Sequence, residues 1–262
     1  MPAAARFMWR NLINELSSVT LTASSSAVPV TNIAHHALGK AWLTNGIASE
    51  SVTIDLGTTT EAVKAVVISG HNLTTAGTAE ILHSTNNVTF TSLGVRTASW
   101  LTTGGNVKNL SFFFSSLSRQ YWRIILKDPT NPDNFIKVGR VFLGDYWEPA
   151  AQIMRNWSVE IVDDTDFDKS IGGQKWRNVR DCFSRISFRL PHLSKSEAVE
   201  NFLNFARRIG TKDSIFVSLF PDGSDSLRGF TDFYGKFISA PGINGPAISI
   251  YDTNEVLFEA DS

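Results

Sequence analysis

Ala41-Trp42-Leu43-Thr44-Asn45-Gly46, Ser51-Val52-Thr53-Ile54-Asp55-Leu56-Gly57, Val66-Val67-Ile68-Ser69-Gly70-His71-Asn72-Leu73, Tyr121-Trp122-Arg123-Ile124-Ile125-Leu126-Lys127-Asp128 and Val138-Gly139-Arg140-Val141-Phe142-Leu143-Gly144 punctuate the run from Gly39 to Gly144. Val52, Ile54 and Leu56 alternate with Thr53 and Asp55, the period of a half-buried strand. Trp122, Ile124 and Leu126 face one way, Arg123 and Lys127 the other. Val63 to Ser69 is almost continuously apolar, as a core strand of a sandwich is. Ala79 to Ser84 and Leu110 to Ser115 also read as strands, with turn signals at Asn86-Asn87 and Gly104-Gly105. Val19 to Ala27, rich in Ser and Thr, reads as an extended arm or first strand. Short strands at this spacing predict a β-sandwich.

Beyond Gly144 the pattern changes. Trp157, Val159 and Ile161 alternate with Ser158 and Glu160 as a strand. The acidic stretch Asp163-Asp164-Thr165-Asp166-Phe167-Asp168 reads as a solvated loop leading to a turn at Gly172-Gly173. Cys182, Ser184, Ile186, Phe188 and Leu190 form one face of a long strand, with Arg185, Ser187 and Arg189 on the other and Pro191 at its end. Ser194 and Glu197 make a capping box. Val199, Phe202, Leu203, Ala206 and Ile209 follow as an apolar stripe at helical spacing. Arg207 and Arg208 suit the last turn and Gly210 the stop. Segments 214–220, 230–238 and 247–251 read as further strands, with a turn at Pro221-Asp222-Gly223.

A chain of 262 residues suits one large domain or two small ones. The net charge of −1 argues against a dedicated nucleic-acid binder. The charge is uneven: residues before Trp147 are slightly basic and the rest slightly acidic. That shift falls at Gly144-Asp145-Tyr146-Trp147-Glu148-Pro149, read as a linker between domains 1–146 and 147–262. No stretch is apolar for long enough to form a membrane-spanning helix, so no membrane insertion is expected. Met1 to Glu15 lacks the apolar centre of a signal peptide. The single cysteine, Cys182, rules out an intrachain disulfide and fits synthesis in a reducing cytosol.

The order of strands over residues 39–144 resembles the discoidin, or coagulation factor 5/8 C-type, galactose-binding-like domain. That resemblance implies a sandwich that binds or holds structure without catalysing, and that presents ligands from loops at one end. The strand ending in Pro191, the capped helix and Ser214-Ile215-Phe216-Val217-Ser218-Leu219-Phe220-Pro221-Asp222 resemble the minor tail protein M family of lambda-type long-tailed phages. More loosely, they resemble the ring-forming domain of phage distal tail proteins. This implies a tail-tube-like β-sandwich with one packed α-helix that closes into a ring around the tail axis, six copies being the commonest. Together the resemblances imply a mainly β structural component of a virion tail tip, made in the host cytoplasm. It would contact itself and other tail-tip proteins, with a host surface glycan as a candidate ligand. The alternative is a free-standing carbohydrate-binding or receptor-binding protein, and a third reading is a hydrolase with a binding module.

On the first resemblance, the ligand-end loops carry His35, His36, Asn45, His71, Asn72, Asn86 and Asn87, with Trp100 as an exposed ring platform. Adjacent histidines point different ways on a strand and make a poor metal pair, so the plain reading is polar loop residues. Trp42 and Trp122 sit in strand patterns and are expected in the core. An EF-hand loop starting at Asp164 would need Gly where Lys169 stands and Glu where Lys175 stands. Asp163, Asp164, Asp166 and Asp168 are therefore read as solvated, or as an acidic surface lining a lumen that carries DNA. Lys175, Arg177, Arg180, Arg185 and Arg189 are expected to form ion pairs across strands or between subunits. There is no P-loop, nucleophile elbow, HExxH or GxGxxG, so no catalytic residue, metal or cofactor is expected.

Overall fold

The structure, a computed structural model, describes residues 4–58, 61–98, 109–154, 156–169, 171–180, 182–247 and 250–261. It is mainly β and divides into two compact units, Met1–Glu148 with Ile215–Tyr234 and Pro149–Ser214 with Gly235–Ser262. Trp100 and the expected Gly104-Gly105 turn lie outside the described residues.

The first unit opens with β1 (Arg6–Met8), α1 (Leu12–Glu15), β2 (Thr20–Ala23) and a 3-10 turn at Val30–Ala34. It continues with β3 (Trp42–Leu43), β4 (Glu50–Asp55), β5 (Val63–Ser69), β6 (Thr78–Ser84) and β7 (Thr91–Thr97). Then come β8 (Asn109–Leu117), β9 (Tyr121–Lys127), β10 (Lys137–Val138) and β11 (Arg140–Gly144). One sheet has the order β2-β4-β9-β6-β7 and the other β11-β5-β8. Val52 and Ile54, Ala79 and Ile81, and Ile124 and Leu126 bring the first sheet into the core. Val66 and Ile68, Leu110 and Phe112, and Val141 and Leu143 do so for the second. The expected sandwich is therefore present. Trp42 and Trp122 are fully buried, and each indole N–H donates to a carbonyl, of Ser25 and Arg119 respectively, at 3.0 Å.

The three-stranded sheet is covered on its other side as well. Ala65 and Val67 of β5 and Phe142 of β11 pack there with Met8, Phe216 and Tyr234. Burial on both faces is why Val63–Ser69 reads as a continuous apolar run while β4 alternates. It also explains why a cut at Tyr146 does not separate the units: the first sandwich is closed partly by residues 215–234. Trp147 belongs to it too, since Phe7 and Trp147 exchange both backbone hydrogen bonds (2.9 and 3.0 Å).

The second unit holds β12 (Ser158–Val162), β13 (Asp166–Lys169), β14 (Lys175–Asn178), β15 (Phe183–Phe188) and a π-helical stretch (Glu197–Leu203) continuing as α2 (Asn204–Ile209). The chain then gives β16 (Ile215–Ser218), antiparallel to β1, and α3 (Asp225–Thr231) to the first unit. It ends with β17 (Asp232–Phe237), β18 (Ile243–Ala247), β19 (Ile250–Thr253) and β20 (Val256–Ala260). In the second unit β12 pairs with β15, β15 with β20, and β20 with Gly235–Phe237 of β17, all antiparallel.

The capping box forms. The Ser194 N–H donates to Glu197 Oε2 at 3.0 Å, and the Glu197 N–H donates to Ser194 Oγ at 3.3 Å. Burial pushes the Glu197 carboxyl up, but the N–H groups of Ala150 and Ser194 and the Ser194 hydroxyl outweigh it and hold the group below its ordinary value. Ser194→Ala is expected to cost about 1 kcal/mol in urea unfolding at neutral pH. A depressed carboxyl contributes stability above its unfolded pKa and loses it as pH falls through the native value, so the deficit should shrink in acid. An unchanged midpoint at neutral pH would remove the cap's role.

The helix face is the expected one at Phe202, Ala206 and Ile209 but not at Val199 and Leu203. The structure buries Ala198, Phe202, Phe205, Ala206 and Ile209 and leaves Val199 at 41% exposure, with Leu203 only partly buried. The buried set keeps ordinary helical spacing but is turned toward Ala198 and Phe205 and away from Val199 and Leu203. Three other expectations are corrected. Cys182 is exposed, because β15 begins after it and the buried alternation starts at Ile186. Asp166 and Asp168 lie on a strand, since β13 and β14 form a hairpin around Gly172-Gly173, Gly173 taking the turn at φ 85°. Phe230 and Thr231 end α3, whose N-cap Ser224 accepts from the Leu227 N–H.

Candidate functional site

The register of the five-stranded sheet separates the expected ligand-end residues. Glu50 and Thr78 flank the end of β9 at Leu126 and Lys127, whereas Asp55 and Ser84 flank its start at Tyr121. Asn45, before β4, and His71 and Asn72, before β6, therefore lie at one end. Asn86 and Asn87, after β6, lie at the opposite end. His35 and His36 follow the 3-10 turn, and the His36 carbonyl accepts the Tyr234 hydroxyl at 2.7 Å. These residues do not form one site.

Most of them build turns. His71 is buried, and its Nδ1 accepts the Leu73 N–H at 3.2 Å. The Asn72 amide donates to Asp133 (2.8 Å) and the Phe135 carbonyl (3.0 Å), and its Oδ1 accepts the Lys137 N–H (2.7 Å). Buried Asp128 anchors the same loops by accepting the N–H and hydroxyl of Thr74 at 2.6 and 2.8 Å. Asn86 Oδ1 accepts from the N–H groups of Val88 and Thr89, and Asn87 sits at φ 58°. Exposed His35 accepts the Ala37 N–H, and exposed Asn45 donates its N–H to Ser25 Oγ. A loop composed of Asn, Ser and His serves its own backbone as readily as a ligand.

Asp163, Asp164, Asp166 and Asp168 are all exposed. The hydroxyl and N–H of Thr165 hold the Asp163 carboxyl below its ordinary value. Of the basic stretch, Arg185 pairs across strands with Glu259 at 3.5 Å, and Arg180, just beyond β14, pairs with Asp166 at 2.7 Å. Among the described residues no group of three or more His, Cys, Asp or Glu side chains is placed to hold a metal ion. No helix among them is long and apolar enough to cross a membrane.

One concavity of about 410 Å³ lies within the first unit. Arg6 of β1, Phe113 of β8, Tyr146 beyond β11, Asp222 in the turn after β16 and Arg228 of α3 line it. The Arg6 guanidinium sits 4.7 Å from the ring centroids of both Phe113 and Tyr146, which meet edge to face at 5.5 Å. Its Nε donates to Glu148 at 2.8 Å, and its Nη2 lies 3.7 Å from Asp222. Arg228 lies 5.2 Å from the Phe113 ring and donates to the carbonyl and hydroxyl of Ser111.

Asp232 lies beside Arg228, buried. It accepts from the hydroxyls of Ser111 and Ser218, and its carbonyl accepts the Asn109 amide at 3.0 Å. Burial pushes its carboxyl above the ordinary value, against the pull of Arg228, the two hydroxyls and Arg96. The lining thus offers donor-only guanidinium groups, an acceptor carboxylate and aromatic rings in one place. Sequence reasoning missed this site because its residues come from five separate segments. The Phe112-Phe113-Phe114 run was its one local signal: Phe112 joins the sandwich core while Phe113 packs on the other side of β8.

No protein-family model matches the chain, and no curated protein matches it by sequence. Similar solved structures include a GH29 fucosidase of Ruminococcus gnavus in complex with fucose, at 15% identity and a TM-score of 0.44. That match covers 53% of this chain and only 27% of the fucosidase. The module CpGH89CBM32-5 from Clostridium perfringens, in complex with GalNAc-β-1,3-galactose, matches at 14% identity, covering 50% of this chain and 99% of the module, with a TM-score of 0.40. A chitosan-binding module from a chitosanase/glucanase of Paenibacillus sp. IK-5 matches at 17% identity, covering 52% of this chain and all (100%) of the module, with a TM-score of 0.41.

Proposed function

We propose that this chain is a non-catalytic saccharide-binding protein whose site is the pocket of Arg6, Phe113, Tyr146, Asp222 and Arg228. The supporting observation is a concavity of about 410 Å³ in which two guanidinium groups and a carboxylate converge beside aromatic rings. Concave sites of this size with a few converging polar groups suit small ligands. Sugar hydroxyls both donate and accept, so donor-only arginines can give hydrogen bonds to them and an acceptor-only aspartate can take hydrogen bonds from them. Arg6, held between two rings, loses little freedom when a ligand arrives.

A glycan array followed by calorimetry on the full chain tests this. Asp222→Ala, at a side chain 58% exposed, is expected to weaken binding by about tenfold or more without moving the melting temperature. Asn45→Ala and Asn87→Ala are expected to leave affinity unchanged. Absence of saccharide binding at millimolar concentration, or sensitivity at Asn45 with none at Asp222, would overturn the reading.

A second reading is architectural, favoured by the apolar surface of the second unit. Ile161, Phe167, Ile171, Trp176 and Val179 are all exposed, Phe167 and Trp176 on opposite faces of one hairpin, and contacts with partner subunits would cover them. On this reading the chain is a component of a phage tail tip, its second unit assembled around the tail axis. Of the acidic stretch, Asp163 and Asp164, exposed ahead of β13, would then line the lumen.

A further inference from the structure

β13 and β14 form a two-stranded sheet in which every residue of both strands is exposed. A lone hairpin is marginally stable in water, so burial against a partner would stabilise it. Cross-strand partners share a face, and successive residues alternate between faces. The register therefore places Asp166, Asp168, Trp176 and Asn178 on one side, and Phe167, Lys169, Lys175 and Arg177 on the other. One face carries two carboxylates around Trp176, with Arg180 pairing Asp166 at its end. The opposite face carries three cations around Phe167, whose ring lies 5.9 Å from the Arg177 guanidinium.

We infer that this hairpin docks on the hairpin of a second copy of the chain, acidic face against basic face. The inference rests on the architectural reading and names its partner. Two copies meeting by the same face would set like charges against each other, which is destabilising. Opposite faces set Lys169, Lys175 and Arg177 against Asp166 and Asp168, and bring the Phe167 and Trp176 rings into one buried layer. Such a contact is head-to-tail. Each docked copy keeps one unused face, so assembly propagates until it closes into a ring or runs on as a filament.

Sedimentation velocity across concentration, at low and high salt, tests the inference. The wild-type chain is expected to associate, and less so at high salt. Lys175→Glu with Arg177→Glu makes both faces acidic. Asp166→Lys with Asp168→Lys makes both basic. Each double variant alone is expected to sediment as a monomer, with its dissociation constant raised about tenfold or more, and an equimolar mixture is expected to assemble. Phe167→Ser with Trp176→Ser is expected to lose association while its circular dichroism stays that of the wild type. Variants that assemble alone like the wild type, or a mixture that stays monomeric, would overturn the inference and leave the architectural reading standing. A wild-type chain that stays monomeric at every concentration and salt would overturn both.

Discussion

Phe202→Ala is expected to cost about 3–5 kcal/mol of folding stability in urea unfolding, whereas Val199→Ala, one turn earlier, is expected to stay within about 0.5 kcal/mol. Phe202 is fully buried at the head of a ladder of edge-to-face rings: Phe202 to Phe205 (6.1 Å), Phe205 to Phe237 (5.4 Å) and Phe237 to Phe258 (5.8 Å). Removing the first ring leaves a void that the helix can fill only by moving against β17. Val199 is 41% exposed and has little to lose. The contrast tests which face of the helix is buried, because packing by the stripe Val199, Phe202, Leu203, Ala206 and Ile209 would turn Val199 and Leu203 inward beside Phe202. Equal costs at positions 199 and 202 would show that Val199 shares the buried face.

That helix shows how far the sequence could be read. Its cap was legible because a capping box is a local pattern, Ser194 and Glu197 standing three residues apart. Its face was legible only in part: Phe202, Ala206 and Ile209 lie on the expected stripe, but Ala198 and Phe205 fit helical spacing as well as Val199 and Leu203 do, and residue order alone does not choose between the two. β4 and β9 were legible because each is buried on one face and alternates accordingly. β7, an edge strand beside β6 among the described residues and exposed except at Leu93 and Arg96, lacks that alternation. The return of residues 215–234 to the first unit was illegible for a different reason. Ile215–Ser218 reads as a buried strand in any context, and its partner β1 stands at the far end of the chain. The pocket inherits that difficulty, since Arg6, Asp222 and Arg228 meet only because β1 pairs with β16.

Asp232→Ala is expected to destabilise the first unit by about 1–3 kcal/mol for each buried hydroxyl that loses its acceptor. Ser111 on β8 and Ser218 on β16 both donate to this carboxyl, and Arg228 Nε lies 3.7 Å from it. Asp232→Asn keeps the shape and one acceptor oxygen, so its cost at acidic pH should be smaller. The two variants should also differ from the wild type in how stability follows pH. Burial raises the Asp232 carboxyl above its ordinary 3.8. A group whose native pKa is raised contributes stability that is fully present below the unfolded pKa and lost as pH rises through the native value. Relative to Asp232→Asn, which cannot ionise, the wild-type chain is therefore expected to lose stability from about pH 4 upward, until the native carboxyl has ionised. Urea midpoints of both proteins from pH 4 to pH 8 give the difference curve directly. Parallel curves would show that Asp232 titrates alike in the folded and unfolded chain. A wild-type curve that gains on the variant with rising pH would show that Arg228 and the two hydroxyls outweigh burial, and that the floor beneath Arg228 is a charged one.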